Sequence, residues 1–301
     1  MNQDQEIPIL DTSPTPQVEV QPEEKPSYRI HIILFVATVF TTLLAGAMME
    51  GANPLRDPTS LAKGIPFSFT LMAILLTHEM GHYLTARHYG VPATLPYFIP
   101  APPIPFLIGT FGAFIRMKSP ILTKKATLEI GASGPIAGFV VAIVAVIVGL
   151  TLSKVVSETS SATIKLGAPL IFDFLDGLFL DVPEGSDVLL HPVAFAGWIG
   201  LFVTALNLLP IGQLDGGHVV YALLGEKHKI VSIGMIGVLL VMGFIGWPGW
   251  YVWAFLTAIL GVKHPPMVDT EAVLLPRQKL IGWLSLGIFI LCFTPNPFMI
   301  D

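Results

Sequence analysis

FSFTLMAILLTHEMGHYLTAR, residues 67–87, is apolar enough to cross a bilayer as one helix, yet its second half carries His78, Glu79 and His82. Ionisable groups at bilayer depth are costly and need partners or a bound ion. On a helix His78 and His82 sit one turn apart on the same face. Two imidazoles at that spacing can bind one zinc ion, with Glu79 beside them as a candidate base. Hydrogen-bonded core histidines are the bland alternative. A divalent cation compensates the buried His-Glu-His group more simply.

The rest of the chain fits that setting. Of 301 residues, 53% are hydrophobic and 12% charged, and mean hydropathy is +0.72; an ordinary soluble domain has about 25% charged residues. The chain therefore reads as an integral membrane protein. The net charge of -5 comes without a basic patch, which excludes a nucleic-acid partner. The lone Cys292 rules out intrachain disulfides and suits a buried core position. Residues 1–28 are acidic and hold Pro8, Pro14, Pro16, Pro22 and Pro26, so they form a disordered tail ahead of a membrane domain over 29–301. The tail has no signal-peptide or transit-peptide pattern.

Apolar runs at about 30–49, 66–86, 127–152, 191–211, 230–246, 249–262 and 279–294 give about seven candidate spans. With the N-terminus in the cytoplasm, twelve Lys and Arg residues fall inside and four (Arg56, Lys63, Lys154 and Lys165) fall outside. The fold class is an all-α membrane protein with one exception. Between Tyr97 and Pro105 the prolines at 100, 102, 103 and 105 exclude helix, and Thr110 to Arg116 follows in strand-like order, so 97–118 reads as a β-hairpin or re-entrant loop lining a cavity. Leu170, Ile171, Phe174, Leu175, Leu178 and Phe179 form an amphipathic stripe, on the membrane surface or packed on the protein itself.

Catalytic zinc usually takes three protein ligands and leaves one position for water. The best source of the third is NLLPIGQLDGGH, residues 207–218: Asp215 follows an apolar run, stands beside two glycines, and comes after the helix breakers Pro210 and Gly212. The topology brings it to the same membrane depth as His78 and His82. A helix N-cap is the competing role for Asp215, and His218 is a competing ligand.

HEMGH together with NLLPIGQLDGGH resembles the two signature motifs of the site-2 protease family, intramembrane zinc metalloproteases (peptidase family M50). Leu95 to Pro100, Gly109 to Phe114, Met117 to Ser119 and Gly131 to Pro135 are similar to its bacterial and chloroplast branch. The resemblance covers roughly 70–265, within a motif-bearing core of about 66–265. It implies one zinc ion held by His78, His82 and Asp215, Glu79 as general base, and Asn207 near the substrate carbonyl. It implies a transmembrane protein substrate in a lipid bilayer, and a multi-pass protein of the bacterial cytoplasmic membrane. Catalysis would follow the usual course for such a site, with Glu79 taking a proton from water and Asn207 contributing about 2–4 kcal/mol as an oxyanion donor. A helical substrate must unwind before cleavage, and the hairpin offers it an edge strand.

Two other classes stay open on the residues alone. Gly131-Ala-Ser133-Gly134 matches the GxSG pattern of intramembrane serine proteases, with His191, His218 or His264 as partner. Its structural counterpart is tight helix packing, with Ser133 as an N-cap or interhelical bond. A metal-ion or proton-coupled transporter would also use buried His, Glu and Asp, although no internal repeat is visible. His264 is a loop residue that could help bind substrate. His31, at the inner end of the first span, is expected to face lipid headgroups.

Overall fold

The computed structural model describes residues 27–102, 108–157, 165–183, 185–262, 264, 267, 269 and 272–299. The acidic tail expected over 1–28 lies outside them except for its last two residues. Nine α-helices run through the described chain: α1 (Arg29–Met49), α2 (Ile65–His88), α3 (Lys124–Leu152), α4 (Leu170–Phe179), α5 (Pro192–Asn207), α6 (Asp215–Leu224), α7 (His228–Ile245), α8 (Gly249–Leu260) and α9 (Pro276–Cys292). Their starts follow from local chemistry. The Asp57 carboxylate accepts from the Thr59 N–H and opens the 3-10 turn Pro58–Gly64 that leads into α2, and the Thr123 hydroxyl accepts from the Ala126 N–H ahead of α3. Pro192 and Pro276 occupy first turns, where a missing N–H costs nothing.

Helices α2, α3 and α5 form the centre, around Phe67, Leu71, Ile74, Val146, Trp198 and Leu201. Trp198 is 1% exposed, and its indole N–H donates to the Gly167 carbonyl at 2.8 Å. Such a bond avoids the roughly 1–3 kcal/mol cost of a buried unpaired donor. The outward faces stay apolar, as on Phe69 and Phe244, which a hydrocarbon solvent tolerates.

Four stretches are long and apolar enough to cross a membrane, Arg29–Met49, Pro58–His88, Lys124–Leu152 and Asp215–Ile245, against the seven apolar runs of the sequence. The difference has a physical reason. Helix α5 has 16 residues and α8 has 12, so at ~1.5 Å per residue both fall short of a ~30 Å hydrocarbon core. Helix α5 is also buried along most of its length, as its neighbours provide the apolar surroundings that hydropathy alone assigns to lipid.

Pro100 and Pro102 lie outside any helix, as expected. Strand β1 (Tyr97–Pro100) pairs antiparallel with β2 (Thr110–Phe114), Tyr97 opposite Phe114 and Ile99 opposite Gly112; residues 103–107 lie outside the described residues. The pairing continues beyond the strands, where the Thr94 N–H donates to Arg116 O and the Lys118 N–H to Pro92 O. Backbone direction alternates along a strand, so Ile115 and Met117 turn their N–H and C=O groups to the opposite, free edge. Helix α1 backs this hairpin. His31, expected at the headgroups, instead lies against the Tyr97 ring, tilted 35° with centroids 4.1 Å apart, and donates from Nδ1 to the Pro96 carbonyl at 3.2 Å. Thr41 donates to the Gly109 carbonyl at 2.6 Å.

On the other side, β3 (Lys154–Ser157) pairs with β5 (Ser186–Leu189), and β4 (Lys165–Leu166) with β6 (Phe298–Met299). Helix α4 packs on the protein through one face and leaves the other open. Phe172 and Leu175 are buried against the protein, while Leu170, Phe174 and Leu178 form an exposed stripe at one-turn spacing.

Candidate metal centre

His78 and His82 project from the second half of α2, each 6% exposed. Their rings need space on the facing helix, and α3 supplies it with glycines. A Cβ at Gly134 would lie 2.1 Å from His82 Nε2, and one at Gly138 would lie 3.2 Å from His78 Nδ1. The α3 backbone also orients a ring. The Ile130 carbonyl stands 2.7 Å from His82 Nδ1; a carbonyl can only accept, so Nδ1 carries the proton and Nε2 keeps its lone pair. A hydrogen bond of this kind commonly fixes the tautomer of a metal-binding histidine.

Asp215 arrives from a different part of the chain. Helix α5 ends at Asn207, and a short turn through Pro210 and Gly212 (φ +51°) reverses the backbone before α6 begins. Asp215 is the first residue of α6, with Leu214 in the N-cap position. Its carboxylate therefore does not cap. It turns to the histidines, with Oδ2 3.3 Å from His78 Nε2 and 3.2 Å from His82 Nε2. The two imidazole nitrogens are themselves 3.2 Å apart.

These three atoms form a nearly equilateral triangle. Ligands of a tetrahedral ion with bonds of ~2.0–2.1 Å stand about 3.3 Å apart, so the triangle has the size for one zinc-like cation. The donor set fits as well. His78, His82 and Asp215 form a three-residue group able to hold a metal ion among the described residues. Two neutral imidazoles and a carboxylate, with Glu79 adjacent, place negative charge around a buried point that a divalent cation balances.

Glu79 is also 6% exposed, and its carboxyl faces the backbone of Ile115, the residue that follows β2. Asn207 Nδ2 lies 3.3 Å from His78 Nε2, at the rim of the triangle. All five residues line a cavity of about 700 Å³, together with β2-side residues such as Ile115 and Met117. That volume falls within the ~300–1,000 Å³ usual for ligand sites.

The competing candidates go elsewhere. His218 points to His264, Nδ1 to Nε2 at 2.5 Å, and not to the triangle. Ser133 lies inside α3 rather than at its N-cap, and its hydroxyl donates to the Ile130 carbonyl at 2.9 Å. His191 caps α5 by accepting from the Val193 N–H. Among the described residues, Ser133 bonds to the Ile130 carbonyl, His191 to the Val193 N–H and His218 to His264. Sequence reasoning missed the Ile130 carbonyl and the Ile115 N–H, which are backbone groups without a side-chain signature. The Gly131, Gly134, Gly138 spacing was the visible trace of the ring-accommodating face.

Comparison with known proteins adds an independent line. The model of peptidase family M50 matches residues 66–245. The chain is 28% identical over 321 residues to "Probable zinc metalloprotease EGY2, chloroplastic" of Oryza sativa subsp. indica, covering 100% of this chain and 56% of that protein. The Arabidopsis thaliana protein of the same name is 26% identical over 99% of this chain and 54% of its own length. "Probable zinc metalloprotease EGY1, chloroplastic" of Arabidopsis thaliana is 32% identical over 69% of this chain and 42% of that protein. The chain thus spans about half the length of the curated relatives it matches. No solved structure matches it.

Proposed function

We propose, from the premise that this chain belongs to peptidase family M50, that it is an intramembrane zinc metalloendopeptidase hydrolysing peptide bonds within or near transmembrane segments of other proteins. The observation that carries this reading is the His78, His82, Asp215 triangle with Glu79 beside it in one cavity. The relatives' names, zinc metalloproteases, agree with it. Those relatives are labelled chloroplastic, which lends no support to the bacterial membrane implied by the sequence resemblance. The N-terminus on the cytoplasmic or equivalent side follows from the positive-inside distribution.

His78, His82 and Asp215 would hold the zinc ion, which supplies Lewis acidity that polarises a carbonyl and acidifies water toward neutral pH. Around it the chain's own groups do the rest. A Glu79 carboxylate oxygen takes the proton of the attacking water and returns it to the leaving amine nitrogen. The Ile115 backbone beside it would help to orient that carboxyl. The Asn207 amide donates to the substrate backbone carbonyl. The free edge of β2 pairs with the unwound substrate strand, satisfying backbone groups that would otherwise be unpaired at membrane depth. Retained cleavage after deletion of the hairpin would rule out that last role.

Purified protein stripped with a chelator should lose cleavage of a model transmembrane substrate and regain it with one equivalent of zinc. Serine-directed inhibitors should have no effect. Full activity in the metal-free protein would reject the reading.

A further inference from the structure

The histidine pair beside the metal triangle is not used by the chemistry above. His218 lies one helical turn after Asp215 on α6 and lines the same cavity, as does His264. Room for His218 is built in, since a Cβ on Gly131 would come within 2.7 Å of its Cβ. His264 arrives from beyond α8, 46 residues away in sequence, and is held there by Tyr221, whose ring stacks on it at 4.2 Å. At 2.5 Å, His218 Nδ1 and His264 Nε2 are too close to be two ligands of one tetrahedral ion, which stand about 3.3 Å apart. The pair shares a proton, not a metal.

That bond occupies one nitrogen of each ring at the contact and leaves His218 Nε2 without a hydrogen-bond partner among the described residues. In either tautomer Nε2 keeps one function, a donor or an acceptor. An extended substrate strand in the cavity has two edges. One edge pairs with β2, and the groups on the other also need partners, because water is scarce at that depth. Ile115 lines the cavity from the hairpin and His218 lines it from α6, next to Gly131 of α3.

We propose that His218 binds the backbone of the unwound substrate on the edge that β2 does not serve, and that His264 is the positioning residue that fixes its ring. This rests on the protease reading above. It assigns to the site a second set of backbone contacts, independent of the substrate's side chains.

The test uses the full chain in detergent micelles, a fluorescent model transmembrane peptide as probe, and zinc content measured throughout. In a Glu79→Gln background, which removes turnover, His218→Ala and His264→Ala should each weaken peptide binding about tenfold, the scale of one lost hydrogen bond. The double variant should be no worse than His218→Ala, since the two residues act as one unit. Zinc stoichiometry should be unchanged, and with Glu79 intact KM should rise more than kcat falls. His264→Gln, which keeps a polar partner for His218, should recover part of the binding. Binding within twofold of the parent for His264→Ala would overturn the proposal, as would a loss that follows zinc content. If His264→Ala does not fold, His264→Gln and His218→Gln decide by the same criteria. Failure of the unmodified chain to cleave would reject the protease reading instead, and is seen before any histidine variant is made.

Discussion

His82 Nδ1 donates to the carbonyl oxygen of Ile130 at 2.7 Å, which commits the opposite nitrogen of that ring to the point where His78 and Asp215 also converge. The bond ties α2 to α3 at the depth of the site. In the proposed zinc site, the fit of α3 against α2 therefore governs metal binding.

Gly134→Ala tests that coupling. The added methyl would lie 2.1 Å from His82 Nε2, so the ring or the helix must move. We expect zinc affinity to fall at least tenfold, by analogy with loss of an orienting partner, with cleavage lost in parallel. Gly138→Ala, whose methyl would meet His78 at an easier 3.2 Å, should have a smaller effect. Gly177→Ala has open space around it and should change neither. Metal titration of the three variants checks the order.

The free edge of β2 carries two separable tasks. Ile115→Pro removes the backbone N–H that faces the Glu79 carboxyl and leaves the inner ladder paired. It should lower kcat about tenfold or more with little change in KM. Met117→Pro removes a donor on the same edge, away from Glu79, and should raise KM instead. Steady-state kinetics on one substrate separate the two, and zinc content should be constant in both.

Helix α1 stands outside the matched family region yet braces the hairpin through His31. His31→Ala removes both the Pro96 bond and the Tyr97 ring contact. A loss of about 1–2 kcal/mol of local stability is expected. It should appear as faster amide exchange in β1 and β2 with global unfolding little changed.

Asp176 on α4 gives a pH-dependent prediction. Burial, and then the nearby Asp173 charge, hold its carboxyl above the ordinary range, and its Oδ1 is buried without a hydrogen-bond partner among the described residues. The folded state binds this proton more tightly than the unfolded chain. Stability from this group is therefore present at acid pH and lost as pH rises through its folded titration. Asp176→Asn should raise Tm at pH 7 and change it little at pH 4, as thermal scans at the two values would reveal.

The site was largely legible because its signals are local. His78 and His82 share a helical face by spacing alone, and prolines 100–105 mark the break in helix whatever the surroundings. Asp215 could be placed by helix breakers and membrane depth. What escaped depends on contacts between distant residues. Nothing near His31 indicates that Tyr97 and Pro96 will meet it, and nothing near His264 indicates His218. The number of spans was less legible for a related reason. Hydropathy cannot tell whether apolar residues face lipid or protein, and α5 faces protein.

The central claim is that Glu79 moves protons beside a metal it does not hold. Glu79→Gln keeps the size and polarity of the side chain and removes its basicity, so zinc content and cleavage of a model transmembrane substrate should be measured on the same preparation. We predict one zinc per chain, as in the parent, with cleavage reduced by about 10²–10⁴, the usual contribution of a general base. Cleavage at the parental rate with zinc retained would contradict it.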